Sequence, residues 1–348
     1  MNRFTVTSLV ALAALGACGT SASPPPPAAA PPEGPAVVNV VGDAATVVVG
    51  DAAGPHAPGT QSFTATFTRA PLLVELRTLG ELLFRERTLS RAGSCASCHD
   101  PAHAFGEAKP HPGRRVAPSL RYLQGAPPFM LGKAGPSGGL MWDGRATMHE
   151  QLRAAWFSAD EMAIASPHEL VTKLASSRIA RQFRDTYGQD IFDSNDQAME
   201  AIVLALDVYT EDRARFFPYA SDFDDVGRGK AVLTAPQTRG RARFEASCAA
   251  CHPDSGRTPI FTTFGYGTVK LPAARVVDRG LCARTDLAAH PELCGMFRIP
   301  SLRNVAVRPR FFHDGSIKTL SEAVKLSGVP DAADVADIVA FLKTLTDH

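Results

Sequence analysis

Cys95-Ala96-Ser97-Cys98-His99 is the stretch of sequence that decides how this chain folds. On one helical turn, two cysteines three residues apart and a histidine directly after them share a face. Two thiols and an imidazole in this arrangement can hold a single planar macrocycle, with thioether bonds from the sulfurs and the imidazole on the metal. The pattern recurs at Cys248-Ala249-Ala250-Cys251-His252.

A single copy of this motif would leave two other readings open, a structural disulfide or half of a zinc site with a chance histidine. Two complete copies in one chain make either reading a poor explanation. Zinc would also need four nitrogen or sulfur ligands at each site, and neither copy has a further Cys or His pair at zinc-finger spacing. The sequence therefore predicts two covalently bound haems c, attached at Cys95, Cys98, Cys248 and Cys251, with His99 and His252 as axial iron ligands.

The bulk composition narrows the class of protein. With 348 residues the chain is longer than one typical domain and can bury a sizeable core. Its 36 basic and 35 acidic residues give a net charge of +1, and no block of like charge stands out. This balance argues against nucleic acid or a charged membrane surface as a partner.

The N-terminus predicts export. Residues 1–17 have the charged start and the short apolar run of a signal peptide, too short to span a membrane. Leu15-Gly16-Ala17-Cys18 resembles a bacterial lipobox, which predicts that Cys18 is lipidated and becomes the first mature residue. Ordinary cleavage near Ala17 is the alternative. We therefore expect a periplasmic protein whose only membrane attachment is the lipid on Cys18.

Residues 18–66 are interpreted as a flexible tether, because their first part is almost entirely Pro, Ala and Ser. Inside this segment the sequence Val-Val-Gly-Asp-Ala-Ala occurs at 40–45 and again at 48–53. The β-branched pairs and the Gly-Asp punctuation predict two short strands, to which we assign no chemistry.

Two cysteines are left after lipidation and haem attachment are assigned, namely Cys282 and Cys294. In an oxidising compartment they are expected to form a disulfide that closes a short loop. The alternative is that both remain free thiols.

The rest of the chain predicts helices rather than alternating strands. Helical periodicity covers 71–84, 147–156, 167–186, 197–210 and 334–345, and a capping box at Thr234 starts a further helix that leads into the second motif. Residues 100–144, dense in Gly and Pro, predict a long irregular wrapper around a bulky cofactor. We predict a mainly α fold of two packed cytochrome c-like haem domains, 67–222 and 223–348, with their boundary at 222–229.

The residues around both motifs resemble the bacterial di-haem cytochrome c peroxidase and MauG superfamily, over roughly residues 72–345. The matching pieces are Leu79-Gly80-Glu81-Leu82-Leu83-Phe84, Cys98-His99-Asp100-Pro101, Trp142-Asp143-Gly144-Arg145-Ala146, Glu150-Gln151, Asp160-Glu161-Met162, Pro300-Ser301-Leu302-Arg303-Asn304-Val305-Ala306 and Phe312-His313-Asp314-Gly315. The resemblance implies that peroxide binds at the N-terminal haem, on His99. The C-terminal haem, on His252, would store or relay electrons.

Three further side chains receive catalytic roles from this resemblance. Trp142 matches the family position between the haems, where an oxidisable indole is chemically apt. Glu161 matches the distal acid that moves a proton from one peroxide oxygen to the other, and Gln151 matches an amide that orients the peroxide. The alternatives are a packed aromatic for Trp142 and solvated surface side chains for Glu161 and Gln151.

The far face of the second haem departs from the family pattern. Ser327 stands where the family usually supplies a Met or a Tyr ligand, and serine binds haem iron poorly. The second haem is then five-coordinate, water-bound, or served by another residue such as Met296 or Tyr266. The absence of a Met ligand argues against the usual high-potential role of this haem.

Two other features depart from the family pattern, a calcium site and a histidine near the first haem. Val116, Arg308 and Arg310 occupy positions that usually bind an interdomain calcium, and two arginines beside Ca²⁺ would repel it, so calcium is predicted to be absent. Of the nearby histidines, His103 and His111, the second is either a resting-state cap on the first haem or a surface loop residue.

Three functions are compatible with these residues. The leading prediction is a peroxidase that reduces hydrogen peroxide with electrons from a small periplasmic donor, either a cytochrome c or a cupredoxin. The second is MauG-type oxidation of side chains on a partner protein, and the third is a non-catalytic electron carrier. Glu161 favours the first two, because an electron carrier needs no distal acid.

Overall fold

The computed structural model describes residues 67–109, 114–256, 258–268, 271 and 278–348, and the backbone of three strands nearer the N-terminus. These strands are β1 (Val38–Val41), β2 (Ala44–Val48) and β3 (Ser62–Thr64), which form an antiparallel sheet in that order. The two strands predicted from the repeated sequence are confirmed as β1 and β2. The signal peptide, Cys18 and most of the tether lie outside the described residues.

The remainder is mainly α, as predicted. The helices are α1 (Leu73–Arg85), α2 (Cys95–Cys98), α3 (Met148–Ala154), α4 (Pro167–Ala175), α5 (Ala180–Tyr187), α6 (Asn195–Thr210), α7 (Arg213–Phe216), α8 (Asp222–Gly227), α9 (Ala235–Ser247), α10 (Leu320–Leu326) and α11 (Ala332–Lys343). Two antiparallel hairpins pair β4 (Met130–Gly132) with β5 (Gly135–Ser137), and β6 (Tyr266–Thr268) with β7 (Met296–Arg298). Within the described part of 100–144, β4, β5 and a 3₁₀ turn at Pro101–His103 are the regular elements.

One sequence expectation needs correction. The helix predicted over 167–186 is divided into α4 and α5, because the hydroxyl of Ser176 donates to the Thr172 and Lys173 carbonyls and competes with the helical ladder. The segment 222–229 is largely the helix α8, and its place as a domain boundary stays a prediction. Ser221 starts this helix with a capping box in which Asp224 binds back to the cap.

The first hydrophobic core lies within residues 67–217 and surrounds α6, which is buried along most of its length. Helix α1 crosses α6 at Gly80, where a Cβ atom would collide with the Ala205 carbonyl. Glycine is therefore needed at this crossing. The close approach fixes the C-terminal end of α1, from which the chain enters the first haem motif.

The second hydrophobic core lies within residues 223–345 and is built on the packing of α9 against α11. Its centre is a group of phenylalanines, Phe223, Phe244, Phe261 and Phe341, whose ring centroids are 5.1–6.5 Å apart. Helix α9 delivers the chain directly to the second haem motif. Each haem motif is therefore attached to its own core.

Two further features stabilise the C-terminal half. Cys282 and Cys294 form a disulfide with their Cα atoms 4.8 Å apart, so the free-thiol alternative does not apply. The Asp347 carboxylate, close to the C-terminus, accepts hydrogen bonds from Tyr122 Oη (2.8 Å), Arg121 Nη1 (3.0 Å) and Asn304 Nδ2 (2.6 Å).

In the described residues, no helix has the length and apolar character needed to cross a membrane.

Candidate active site

The first haem motif is presented by the short helix α2 and the residue after it. His99 Nδ1 lies 3.0 Å from the carbonyl oxygen of Phe105. A carbonyl can only accept, so Nδ1 donates the proton and the lone pair is left on Nε2. Burial of the ring lowers the pKa of His99, which favours the neutral form. A neutral imidazole with its lone pair on Nε2 is the form that binds iron.

The second motif repeats this arrangement. Cys248 follows α9, and His252 Nδ1 donates to the carbonyl of Phe261 at 2.8 Å. Burial lowers the pKa of His252, and the positive charge of Arg308 lowers it further. A hydrogen bond of this kind orients a metal-binding histidine and fixes its tautomer.

The two carbonyl acceptors share an unusual backbone conformation. Phe105 and Phe261 both have φ of +56°, in the left-handed region that bulky residues rarely adopt. Such a residue costs on the order of 1–3 kcal/mol and persists only where its surroundings impose it. Phe105 is packed against Phe84 and Phe216, and Phe261 lies in the second aromatic cluster. Core packing therefore holds each acceptor in place.

The thiols of both motifs fit haem attachment. Cys95, Cys98, Cys248 and Cys251 are free, so neither motif is a structural disulfide. Each motif offers two separate sulfurs for thioether bonds and one oriented neutral imidazole for iron. This donor set fits a haem c at each motif.

Glu161 and Gln151 are brought together beside the first motif. Gln151, on α3, donates through Nε2 to Glu161 Oε2 at 3.2 Å and to Oε1 at 3.4 Å. The turn that carries Glu161 is pinned by the hydroxyl of Ser90, which donates to the Met162 carbonyl at 2.6 Å. Ser90 precedes the first motif in sequence, so this bond ties the acid to the segment that leads into the motif.

The electrostatics of Glu161 are those of a partly buried acid. Burial raises the pKa of Glu161, while the Gln151 hydrogen bond and the charge of Arg145 oppose that shift. The influence of Glu161 reaches the first motif. Burial raises the pKa of the Cys95 thiol to about 12 and raises that of Cys98, and the Glu161 charge adds to both shifts. Glu161 therefore acts electrostatically on both sulfurs of the first motif.

Trp142 lies where the N-terminal segment meets residues of the C-terminal half. Its Nε1 donates to the Val116 carbonyl at 2.7 Å, and its own carbonyl accepts from the Arg298 amide at 2.9 Å. The ring of His313 stands edge-on to the indole, with centroids 6.5 Å apart. The indole is fixed on several sides.

An aromatic and ionic group beside Trp142 was not predicted from the sequence. The rings of Phe297 and His313 are stacked 3.6 Å apart and nearly parallel at 7°. Arg115 lies over Phe297 and bridges Asp143 (Nη1, 2.7 Å) and Asp278 (Nε, 2.7 Å). His313 and Asp143 belong to motifs already noted, but their contacts depend on chain crossings that no local pattern encodes.

The remaining candidate residues have these positions. The Ser327 hydroxyl donates to the Ala323 carbonyl at the end of α10, and Tyr266 Oη donates to the Gly138 carbonyl at 2.7 Å. Met296 is partly buried in β7. His103 pairs with Asp100 at 2.9 Å, while His111 lies outside the described residues. The prediction about the sixth ligand of the second haem stays a prediction.

Known proteins match this chain along most of its length. A family described as di-haem cytochrome c peroxidase matches residues 74–232. The methylamine utilization protein MauG of Paracoccus denitrificans is 31% identical over 72% of this chain and 73% of its own length. The cytochrome c551 peroxidase of Nitrosomonas europaea is 29% identical over 79% of this chain and 81% of its own length.

A solved structure gives the same assignment. The diheme peroxidase BthA from Burkholderia thailandensis superposes with a TM-score of 0.70 at 28% identity, covering 90% of this chain and 96% of that protein. The fold, the two oriented histidines with their free thiol pairs, and these relatives agree with the resemblance noted in the sequence. The chain therefore belongs to the di-haem cytochrome c peroxidase family.

Proposed function

We propose that this protein reduces hydrogen peroxide to water with electrons from a small periplasmic donor, either a cytochrome c or a cupredoxin. The observation that carries this proposal is the Gln151–Glu161 pair next to the first haem motif. A partly buried acid held by an amide donor is suited to proton transfer during cleavage of the O–O bond. Family membership makes the chain a peroxidase-like oxidoreductase with haem c cofactors, which argues against a simple electron carrier.

In this proposal the two haems have different roles. We assign one haem domain to each hydrophobic core, at 67–222 and 223–348, with peroxide at the His99 site and electron entry at the His252 site. The haems supply the redox chemistry, so that hydrogen peroxide, two electrons and two protons give two waters. The protein must hold the peroxide, deliver protons and keep the two sites at a fixed distance.

In this proposal Glu161 is the residue that transfers the proton. Its carboxylate takes a proton from one peroxide oxygen and returns it to the other, which then leaves as water. Gln151 can donate through its amide to the carboxylate or to the peroxide, so it orients both. Burial raises the pKa of Glu161 toward the working pH, which suits the carboxyl group both to accept the proton and to return it.

Trp142 is proposed to lie on the electron route between the haems. Its indole N–H is satisfied by the Val116 carbonyl, and its backbone is tied to Arg298. These contacts fix the ring, and a fixed ring keeps a constant distance to both sites. The edge-on His313 ring adds a second aromatic group at this position.

The direct test is rapid mixing of the two-haem protein with hydrogen peroxide. Glu161→Gln should keep both haems and slow the reaction by roughly 10²- to 10⁴-fold, the usual contribution of an acid–base group. Asp160→Asn is the matched control, because it removes the same charge from an exposed neighbour, whereas Gln151 donates to Glu161. An unchanged rate in Glu161→Gln would make this acid structural.

A second candidate function is oxidation of side chains on a partner protein, favoured by the MauG relative. The two functions differ in the source of electrons. Steady-state turnover with reduced cytochrome c supports the peroxidase, whereas crosslinking or hydroxylation of a co-expressed partner supports the alternative. Absence of turnover with any small donor, together with a modified partner, would reverse our order of preference.

The location is also proposed. The apolar start of the chain and the lipobox pattern support export to the periplasm and a lipid on Cys18. Mass spectrometry of the mature N-terminus would test this, since a lipid adds a defined mass to a peptide that begins at Cys18. We also keep the expectation that no calcium is bound near Val116, Arg308 and Arg310.

A further inference from the structure

Two arginines in the C-terminal half keep buried nitrogen atoms that no group among the described residues satisfies. Arg298 is 4% exposed, and its Nε donates to the Met141 carbonyl at 3.0 Å, but its Nη1 is buried and has no partner in the part of the chain that the structure describes. Arg308 donates through Nη2 to the Arg303 carbonyl at 2.6 Å, while its Nε is buried and none of the described residues accepts from it. An unsatisfied buried donor on a charged group is costly, so both atoms point to an acceptor outside the polypeptide.

The segment that carries both arginines packs against the loop that holds His252. Thr262, next to the carbonyl that His252 binds, donates through Oγ1 to the Ile299 carbonyl at 2.6 Å, and Arg303, whose carbonyl accepts from Arg308, donates to the Pro259 carbonyl at 2.9 Å. Burial lowers the pKa of Arg308 to about 10, and the positive charge of Arg298 contributes to that shift. The charge of Arg308 also acts on His252. Among the residues described, neither arginine forms an ion pair with a carboxylate. Two like charges in a partly dry site need an anion to offset their repulsion.

We propose that Arg298 and Arg308 bind the propionate carboxylates of the second haem. A haem carries two carboxylates at one edge, and guanidinium groups match carboxylates in shape and charge. This inference rests on a haem at His252, as the proposed function also does. It gives Arg308 a role as a fixed positive charge. Arg308 stands at one of the positions that usually bind an interdomain calcium in the family.

The proposal has a measurable electrochemical consequence. Ferrous haem carries one positive charge less than ferric haem, so nearby fixed cations favour the reduced state. The same cations keep the propionates ionised and hold their pKa below the neutral range. Removal of one arginine should therefore favour ferric haem and bring a propionate titration closer to neutral pH.

The test is a potentiometric titration, followed by absorbance, of the two-haem protein and its variants at several pH values. Arg308→Gln and Arg298→Gln each remove one charge, and Arg308→Lys keeps the charge but loses the planar fork. Arg239→Gln is the matched control, because Arg239 is 60% exposed and its guanidinium is paired with Asp337. Haem content is measured first, by pyridine haemochrome assay, in each protein.

Each glutamine variant should shift one of the two Nernst waves toward ferric haem by about tenfold in the equilibrium constant, about 59 mV for one electron. The shifted wave should also become more pH-dependent near neutrality. Arg308→Lys should recover part of the shift, and Arg239→Gln should leave both waves unchanged. A variant without Cys95 and Cys98, which keeps only the second haem, identifies the wave.

Two results would overturn the proposal. One is that both glutamine variants give the same two Nernst waves as the Arg239→Gln control. The other is a shift reproduced in the unaltered protein by changing the phosphate or chloride concentration, which would mean that a free anion occupies the site. If one glutamine variant loses haem, the other decides by the same criterion, since a wave that matches the Arg239→Gln control contradicts the proposal and a wave shifted toward ferric haem supports it. None of these readouts uses peroxide, so a failure of the peroxidase proposal would remain distinguishable.

Discussion

Arg303 and Asp224 form a buried ion pair behind the second haem motif, and we predict that breaking it destabilises the fold strongly. Arg303 is 0% exposed and donates to the two carboxylate oxygens of Asp224 at 2.6 and 2.8 Å and to the Pro259 carbonyl at 2.9 Å. Its guanidinium carbon lies 5.1–5.6 Å from the ring centroids of Tyr122, Tyr219, Phe223 and Phe261. The perturbation is Arg303→Met, which keeps the length of the side chain but removes the charge.

The expected cost is about 3–5 kcal/mol in the free energy of unfolding, because an uncompensated buried carboxylate is left behind. In the variant, the donors to Asp224 that remain among the described residues are the backbone amide of Ser221 at 3.0 Å and its hydroxyl at 2.6 Å. Loss of the aromatic contacts of the guanidinium adds to this cost. The double variant Arg303→Met/Asp224→Leu should recover much of the loss, since no unpaired charge remains.

The same reasoning gives a dependence on pH. Burial alone would raise the pKa of Asp224, but Arg303 holds it below its usual value. In the unaltered protein this carboxylate therefore adds stability above its unfolded pKa, about 3.9, and that stability is lost as the pH falls through the lower folded pKa. In Arg303→Met the folded pKa rises above the unfolded value, so the variant loses stability as the pH rises. The difference in the free energy of unfolding between the two proteins should therefore shrink as the pH falls from neutrality.

The assay is urea unfolding of the two-haem protein, followed by far-ultraviolet circular dichroism near pH 7 and near pH 5. Arg239→Met serves as the control, because it breaks an exposed pair with Asp337 and should change stability little. A loss below about 1 kcal/mol in Arg303→Met near neutral pH would refute the reasoning, since that is the range of exposed pairs. A double variant no more stable than Arg303→Met would refute it equally.

Three other predictions concern the haem sites. The mature protein should contain two haems by pyridine haemochrome assay, and replacing Cys95 and Cys98 with serine should leave one; a single haem in the unaltered protein would contradict the assignment. Gln151→Leu removes the hydrogen bond that lowers the pKa of Glu161, so the acid limb of the peroxide rate profile should move to higher pH, and an unmoved limb would count against the pair. Ser327→Met should convert the second haem from high spin to low spin by electron paramagnetic resonance and raise its potential. A low-spin second haem before that substitution would mean that another side chain binds the iron.

Much of the fold could be predicted because it depends on side-chain pattern. The CxxCH motifs, the helical periodicity and the capping box at Thr234 are local signals, and the structure has helices at each predicted position. The break between α4 and α5 was missed because Ser176 keeps the helical period while its hydroxyl competes for helical carbonyls.

The site was less predictable where it depends on the main chain or on long-range contacts. Phe105 and Phe261 act through their carbonyls, and a carbonyl is present whatever the residue type. Their left-handed φ also runs against the usual preference of phenylalanine, so no local signal indicates it. The unsatisfied nitrogens of Arg298 and Arg308 become apparent only when every possible partner has been placed around them.

The use of main-chain carbonyls to hold both axial histidines has a consequence for how this protein tolerates change. No side-chain substitution at Phe105 or Phe261 can delete the acceptor itself, so point mutations act on these histidines only through packing. The spacing along the chain is different in kind, because Phe105 follows His99 by six positions and Phe261 follows His252 by nine. Insertion or deletion of one residue within either loop would turn the carbonyl away and release the ring. The length of these two loops, more than their composition, is therefore what keeps each iron ligand in place.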